Sequence, residues 1–141
     1  MWNQLSENEA REFLSREHFA HLGCVLDGKV PYVVPVNYLL KGDSIYIHSV
    51  EGTKLNALRE NPNACVQVEK VSNPYRWTSA IAFGTFEEVE DQAVRSEVID
   101  ELLFHFRTLT PVEGLEAQRG PETDAVVFRV NIRKLTGVSE N

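Results

Sequence analysis

A chain of 141 residues with 43% hydrophobic and 25% charged residues has the composition of one globular domain, long enough to bury a core without disulfides or a structural metal. Fourteen Lys and Arg against 21 Asp and Glu leave a formal charge of -7, which repels a nucleic-acid backbone and excludes nucleic acid as the expected partner. There is no long apolar run and no basic-then-apolar leader, so neither a membrane span nor a secretory signal is expected, and the cytoplasm is the expected location.

In chain order, Ser6-Glu7-Asn8-Glu9 has capping-box spacing, and Ala10, Phe13 and Leu14 follow at helical intervals, which predicts a short amphipathic helix ending near Arg16. Residues 19–26 are apolar and lead into Asp27-Gly28, a two-residue hairpin signal, and then into a second strand over 30–40. That second strand is apolar on both sides, which predicts burial on both faces. Pro35 has no amide hydrogen, so the strand should have an edge or a break there. Gly42-Asp43 turns the chain into a third strand, Ser44 to Val50, with Ile45 and Ile47 on one face and Tyr46 and His48 on the other.

A helix is predicted from Thr53 to Glu60, stopped by Asn61-Pro62. Alternation over 64–69 gives a fourth strand, a turn at Ser72-Asn73-Pro74-Tyr75 leads to a fifth over 77–89, and Asp91 caps an amphipathic helix from Gln92 to Phe106. Residues 107–122 read as a long loop broken by Pro111, Gly114, Gly120 and Pro121, and residues 126–133 as a closing strand. Six strands with helices after the third and fifth predict a mainly β fold, a small antiparallel barrel with flanking helices. A doubly wound α/β sheet is disfavoured, because the Asp27-Gly28 hairpin leaves no room for a crossover helix.

The stretch Tyr46-Ile47-His48-Ser49-Val50-Glu51-Gly52-Thr53-Lys54-Leu55 passes from strand into helix. A helix start exposes unpaired amides and its positive dipole end, Gly52 allows close approach, Ser49 and Thr53 offer hydroxyls, and Lys54 adds a charge, all of which suit a phosphate. The plainer reading is that Thr53 caps the helix and Lys54 is solvated. His48 reads as a cofactor contact or proton shuttle, as a satisfied interior histidine, or as a surface residue. His18 and His21 form an HxxH pair without a third ligand at usable spacing, so no metal is expected. Cys24 and Cys65 read as buried thiols of a reducing compartment, with no CxxC pair. Glu87, Glu88, Glu90 and Asp91 read as a solvated rim. Trp77 suits a core, a dimer interface or a flat aromatic ligand. There is no GxSxG elbow, HExxH or dinucleotide GxGxxG.

Taken together, the run from His21 to Val71 followed by Trp77 to Asp91 resembles the pyridoxamine 5'-phosphate oxidase-like flavoproteins, most closely the branch that includes nitroimidazole-resistance proteins. The most specific elements are the Pro35-Val36-Asn37-Tyr38 strand, the Tyr46-Ile47-His48-Ser49 strand end, the Gly52-Thr53-Lys54-Leu55 helix start and the Asn61-Pro62 turn. The resemblance implies a six-stranded split barrel that forms a homodimer and holds FMN between two subunits. By that resemblance Lys54, with Thr53, meets the phosphate. Pro35, Val36 and Asn37 line the ring, His48 and Ser49 stand beside it, and Trp77 and Ser79 reach the pocket from the second subunit.

Two departures stand out: the branch commonly has a basic residue where this chain has Thr53, and the arginine-rich pattern of true pyridoxamine phosphate oxidases is not evident, which argues against vitamin B6 oxidation. The expected function is an FMN-dependent oxidoreductase acting on a small molecule, with His48 as the candidate proton-handling residue and any nicotinamide donor binding only transiently. The alternatives are a non-enzymatic flavin carrier or sensor, and a barrel that binds haem or a deazaflavin instead.

Overall fold

The computed structural model describes residues 2–106 and 125–141. The loop expected over 107–122 lies outside the described residues. In chain order the elements are β1 (Trp2–Gln4), α1 (Glu7–Arg16), β2 (Phe19–Leu26), β3 (Val30–Asn37), β4 (Leu39–Lys41), β5 (Ser44–Val50), α2 (Thr53–Glu60), β6 (Asn63–Asn73), β7 (Arg76–Glu88), α3 (Gln92–Phe106) and β8 (Ala125–Glu140).

All pairings are antiparallel, in the order β3-β2-β6-β7-β8-β5-β4, with β1 added to β8. The two ends of this path, β3 and β4, are consecutive in the chain and joined through Tyr38, so the sheet curls back on itself into a barrel. The expected class therefore holds, with eight strands among the described residues in place of six. The 30–40 run is divided at Tyr38 into β3 and β4, and β1 is too short to show any alternation.

Pairing alternation sends Ala20, Leu22, Ile45, Ile47, Val66, Val68, Ala80, Ala82, Phe128 and Val130 into one core. Helix α1 closes one side of it with Ala10, Phe13 and Leu14, and its capping box is complete, Ser6 and Glu9 each bonding the other's backbone amide. A second, smaller cluster lies on the other face of β5 and β8, where Val98, Ile99 and Leu102 of α3 pack on Leu39, Tyr46 and Val127. Asp91 accepts bonds from the Ala93 and Val94 amides and so caps that helix. The β2–β3 hairpin loop is three residues, 27–29, one more than the Asp27-Gly28 signal implied, with Asp27 and Gly28 both at positive φ.

Tyr38 is fully buried and its hydroxyl donates to the Leu14 carbonyl at 2.6 Å, tying the β3–β4 corner to α1. Replacing Tyr38 by Phe keeps the ring but strands that carbonyl, so we expect a loss of about 1–2 kcal/mol in urea unfolding with an unchanged m-value. An unaltered midpoint would show that the bond adds nothing to the corner.

Burial on both faces of β3 is not what the structure shows. Val33, on the outer side of this end strand, is 63% exposed because no described element lies over that side, and Val30, on the same face as the buried Val36, is 53% exposed at the hairpin end.

Candidate functional site

Among the described residues strand β3 pairs only with β2, so no described strand lies along its second edge. That edge carries Pro35, in line with the sequence reading of an interrupted ladder. Strand β4 covers β5 only from Ser44 to Tyr46, so among the described residues no strand lies on that side of residues 47–50. The two free backbone edges face each other across a split in the barrel, and the chain leaving β5 enters α2 at its end. Pro35 and Asn37 are on the outer side of β3, whereas Val36 points into the core. His48 is exposed on the outer side of β5, opposite Val127, and Ser49 is buried with its hydroxyl donating to the Val50 carbonyl at 3.0 Å.

The amino end of α2 is open. Gly52 is the N-cap, no side chain bonds the first amides, and no acidic residue lies in the first turn. A Cβ placed on Gly52 would meet nothing within 4 Å, so the approach to those amides is clear. Thr53 is exposed and does not cap the helix, contrary to the plainer sequence reading. Lys54 is half-buried, with no hydrogen bond or ion pair to a described residue. Burial pushes its ammonium below the usual lysine range, and the nearby Cys24 thiol acts weakly the other way. A partly desolvated cation beside unsatisfied amides is matched by an anion. This donor set fits the phosphate of a phosphorylated ligand.

Cys24 is buried and Cys65 half-buried, and both are free thiols. Burial raises the Cys24 thiol, Cys65 adds to the effect, and Lys54 partly offsets it. The thiol therefore stays protonated and serves as packing beneath Lys54. His18 stacks on His105 at 4.2 Å and His21 meets Phe19 edge-on at 5.8 Å, so the HxxH pair splits between two neighbourhoods. Among the described residues no His, Cys, Asp and Glu cluster suited to a metal is found, and no helix is long and apolar enough to cross a membrane.

Trp77 and Ser79 are not beside Lys54 within the chain. Cys24, next to Lys54, is level with Ala64 and Gly84, and Trp77 is seven residues further along β7, roughly 23 Å away at strand rise. Ser79 accepts from Gln67 Nε2 at 3.0 Å, and Trp77 Nε1 donates to Glu140 at 2.9 Å while Trp2 packs edge-on against its ring at 5.5 Å. Both residues share the outer sheet face with Pro35 and Asn37. Across that face the register places Val33, Gly23, Cys65 and Phe83 in one row.

Sequence reasoning missed the setting of Arg59. Its guanidinium forks onto Glu51 with Nη1–Oε1 at 2.6 Å and Nη2–Oε2 at 3.0 Å, and its Nε also reaches Glu88. Glu87 is bound by Arg129, so two members of the expected solvated rim are ion-paired.

A barrel split between two strand edges that no described strand covers, with an uncapped helix start and Lys54 at the opening, defines a class of split barrels whose opening would suit an anion. The model of the pyridoxamine 5'-phosphate oxidase family matches residues 6–139, and the chain belongs to that family. The crystal structure of an FAD-binding protein from Mesorhizobium loti is similar over 100% of this chain and 99% of its own, with 27% identity and a TM-score of 0.83. A proposed 5-nitroimidazole antibiotic resistance protein from Bacteroides thetaiotaomicron shares the fold at 22% identity and a TM-score of 0.73, over 99% of this chain and 89% of its own. An uncharacterized curated relative from Rhizobium meliloti is 28% identical over 85 residues, which is 60% of this chain and 56% of that protein.

Proposed function

We propose that this chain is a flavin-binding protein that holds FMN and works as an FMN-dependent oxidoreductase on a small molecule. The observation that carries the reading is Lys54: a half-buried ammonium with no carboxylate beside it among the described residues, at the open amino end of α2. The FAD-binding description of the Mesorhizobium loti protein supports a flavin as the ligand class. Bound flavin would supply the electron or hydride chemistry, and the protein's own residues bind, orient and shield. Lys54 and the Thr53 amide and hydroxyl take the phosphate. The free edge of β3 at Pro35, Val36 and Asn37 lines the ring edge, Ser49 fixes the strand end, and exposed His48 is placed to exchange a proton with substrate.

The same reading makes 1–141 one flavin-binding domain and the working unit a homodimer in the cytoplasm. Phe19, Val33 and Phe83, at 56%, 63% and 40% exposure, lie on one outer face, and an uncovered apolar surface of that kind suits a second copy. Trp77 and Ser79 on that face would then come to the pocket from the partner.

The test is direct. The purified protein should carry flavin absorption bands or acquire them on adding FMN, elute as a dimer, and have its flavin reduced by NADH or NADPH and reoxidised by an acceptor. Bound but redox-silent FMN would place the chain among carriers or sensors. A Soret band without flavin would point to haem, and no response to saturating FMN would remove the reading.

A further inference from the structure

Glu51 directly precedes the N-cap Gly52 and is the nearest carboxylate in sequence to the open α2 amides. A carboxylate there is drawn to a helix amino end, where it would take the place of an external anion and repel a phosphate. In the structure it does neither, because both oxygens are held by the two Nη atoms of Arg59, one helix length further on. The same guanidinium binds Glu88 at the end of β7 and so is braced from a second element. Those hydrogen bonds hold the Glu51 carboxyl below the usual carboxylate range, so it is ionised whenever the site would receive an anion.

We propose that Arg59 is a positioning residue for the phosphate site: it withdraws Glu51 from the α2 amino end and thereby keeps the amides and Lys54 open to an incoming phosphate. The inference rests on the FMN reading above and extends it to a residue that does not touch the ligand. Lysine at position 59 would keep the charge but lose the two-pronged grip, so it would act only in part.

The experiment is a double-mutant cycle on the full chain, with FMN as probe and phosphate-free riboflavin as control. Arg59→Gln should weaken FMN about fivefold, the scale of one misplaced charge at a helix end, and leave riboflavin unchanged. Adding Glu51→Gln to Arg59→Gln should return FMN affinity to near the parent value, since the competing carboxylate is gone. Arg59→Lys should fall between. A purely structural arginine would weaken both flavins and would not be rescued by a second change. If Lys54→Ala weakens FMN but the Glu51 change restores nothing in the Arg59→Gln background, this inference fails alone. If neither Lys54→Ala nor Arg59→Gln alters FMN affinity, it fails together with the phosphate site.

Discussion

Lys54→Ala should raise the FMN dissociation constant by about one to two decades, the size of a charge-assisted hydrogen bond of roughly 1.5–3 kcal/mol. The size of the effect follows from the setting: the ammonium is half-buried beneath open helix amides, where water screens it less than on a free surface, and no described carboxylate shares it. Riboflavin should bind parent and variant alike, because the lost contact is to the phosphate. The pH dependence carries a sign of its own. Burial lowers the Lys54 pKa below its ordinary 10.5, so the cation is lost at a less alkaline pH than for a free lysine. FMN affinity should therefore fall as the pH rises through that lowered value. For the ligand-free fold the Lys54 contribution has the opposite sign: at this group the unfolded chain binds more protons between the lowered value and 10.5, so its contribution to stability rises with pH across that window. Lys54→Ala should remove both of these contributions. Equal FMN constants for the two proteins across pH would remove the phosphate assignment.

What the sequence revealed and what it hid divide by the range of the interaction. The α2 start was legible because its signals are local: a strand that alternates, then Gly52, then helix formers up to Asn61-Pro62. Pro35 pointed to a free edge because a missing amide is a property of one residue. Val30 and Val33 of β3 pointed to burial that the described residues do not provide, since a sequence states how apolar a strand is but not which body covers it. The Arg59–Glu51 grip was hidden, because eight residues spanning a junction match no helical or strand spacing that pattern reading searches for. The approach of Lys54 to Cys24 was hidden likewise, since the contact of α2 with β2 joins segments about thirty residues apart. The split itself depends on which edges remain unpaired, and that is settled by register across the whole sheet.

Gly84→Ala tests that register where the two longest strands cross closest. Opposite Gly84, β8 skips a residue: Phe83 pairs with Lys134 and Gly84 with Ile132, leaving Arg133 as a bulge. The bulge presses backbone onto β7. A Cβ at position 84 would stand 2.1 Å from the Asn131 carbonyl oxygen and 2.8 Å from its carbon, distances that no rotation of a side chain can relieve. At Gly23 the comparable clash, 2.7 Å, is with the Cys65 thiol, which can swing away. Gly84→Ala must instead part β7 from β8 and should cost roughly 3 kcal/mol or more, lowering Tm by about 10 °C, whereas Gly23→Ala should cost far less. A Gly84→Ala protein that melts with the parent would mean that β7 and β8 are not in this register. The consequence reaches the site, because β8 is also the strand that holds β5 from Ser44 to Val50. If β8 shifts, the His48 and Ser49 end of β5 shifts with it, and FMN affinity should fall even well below the melting temperature.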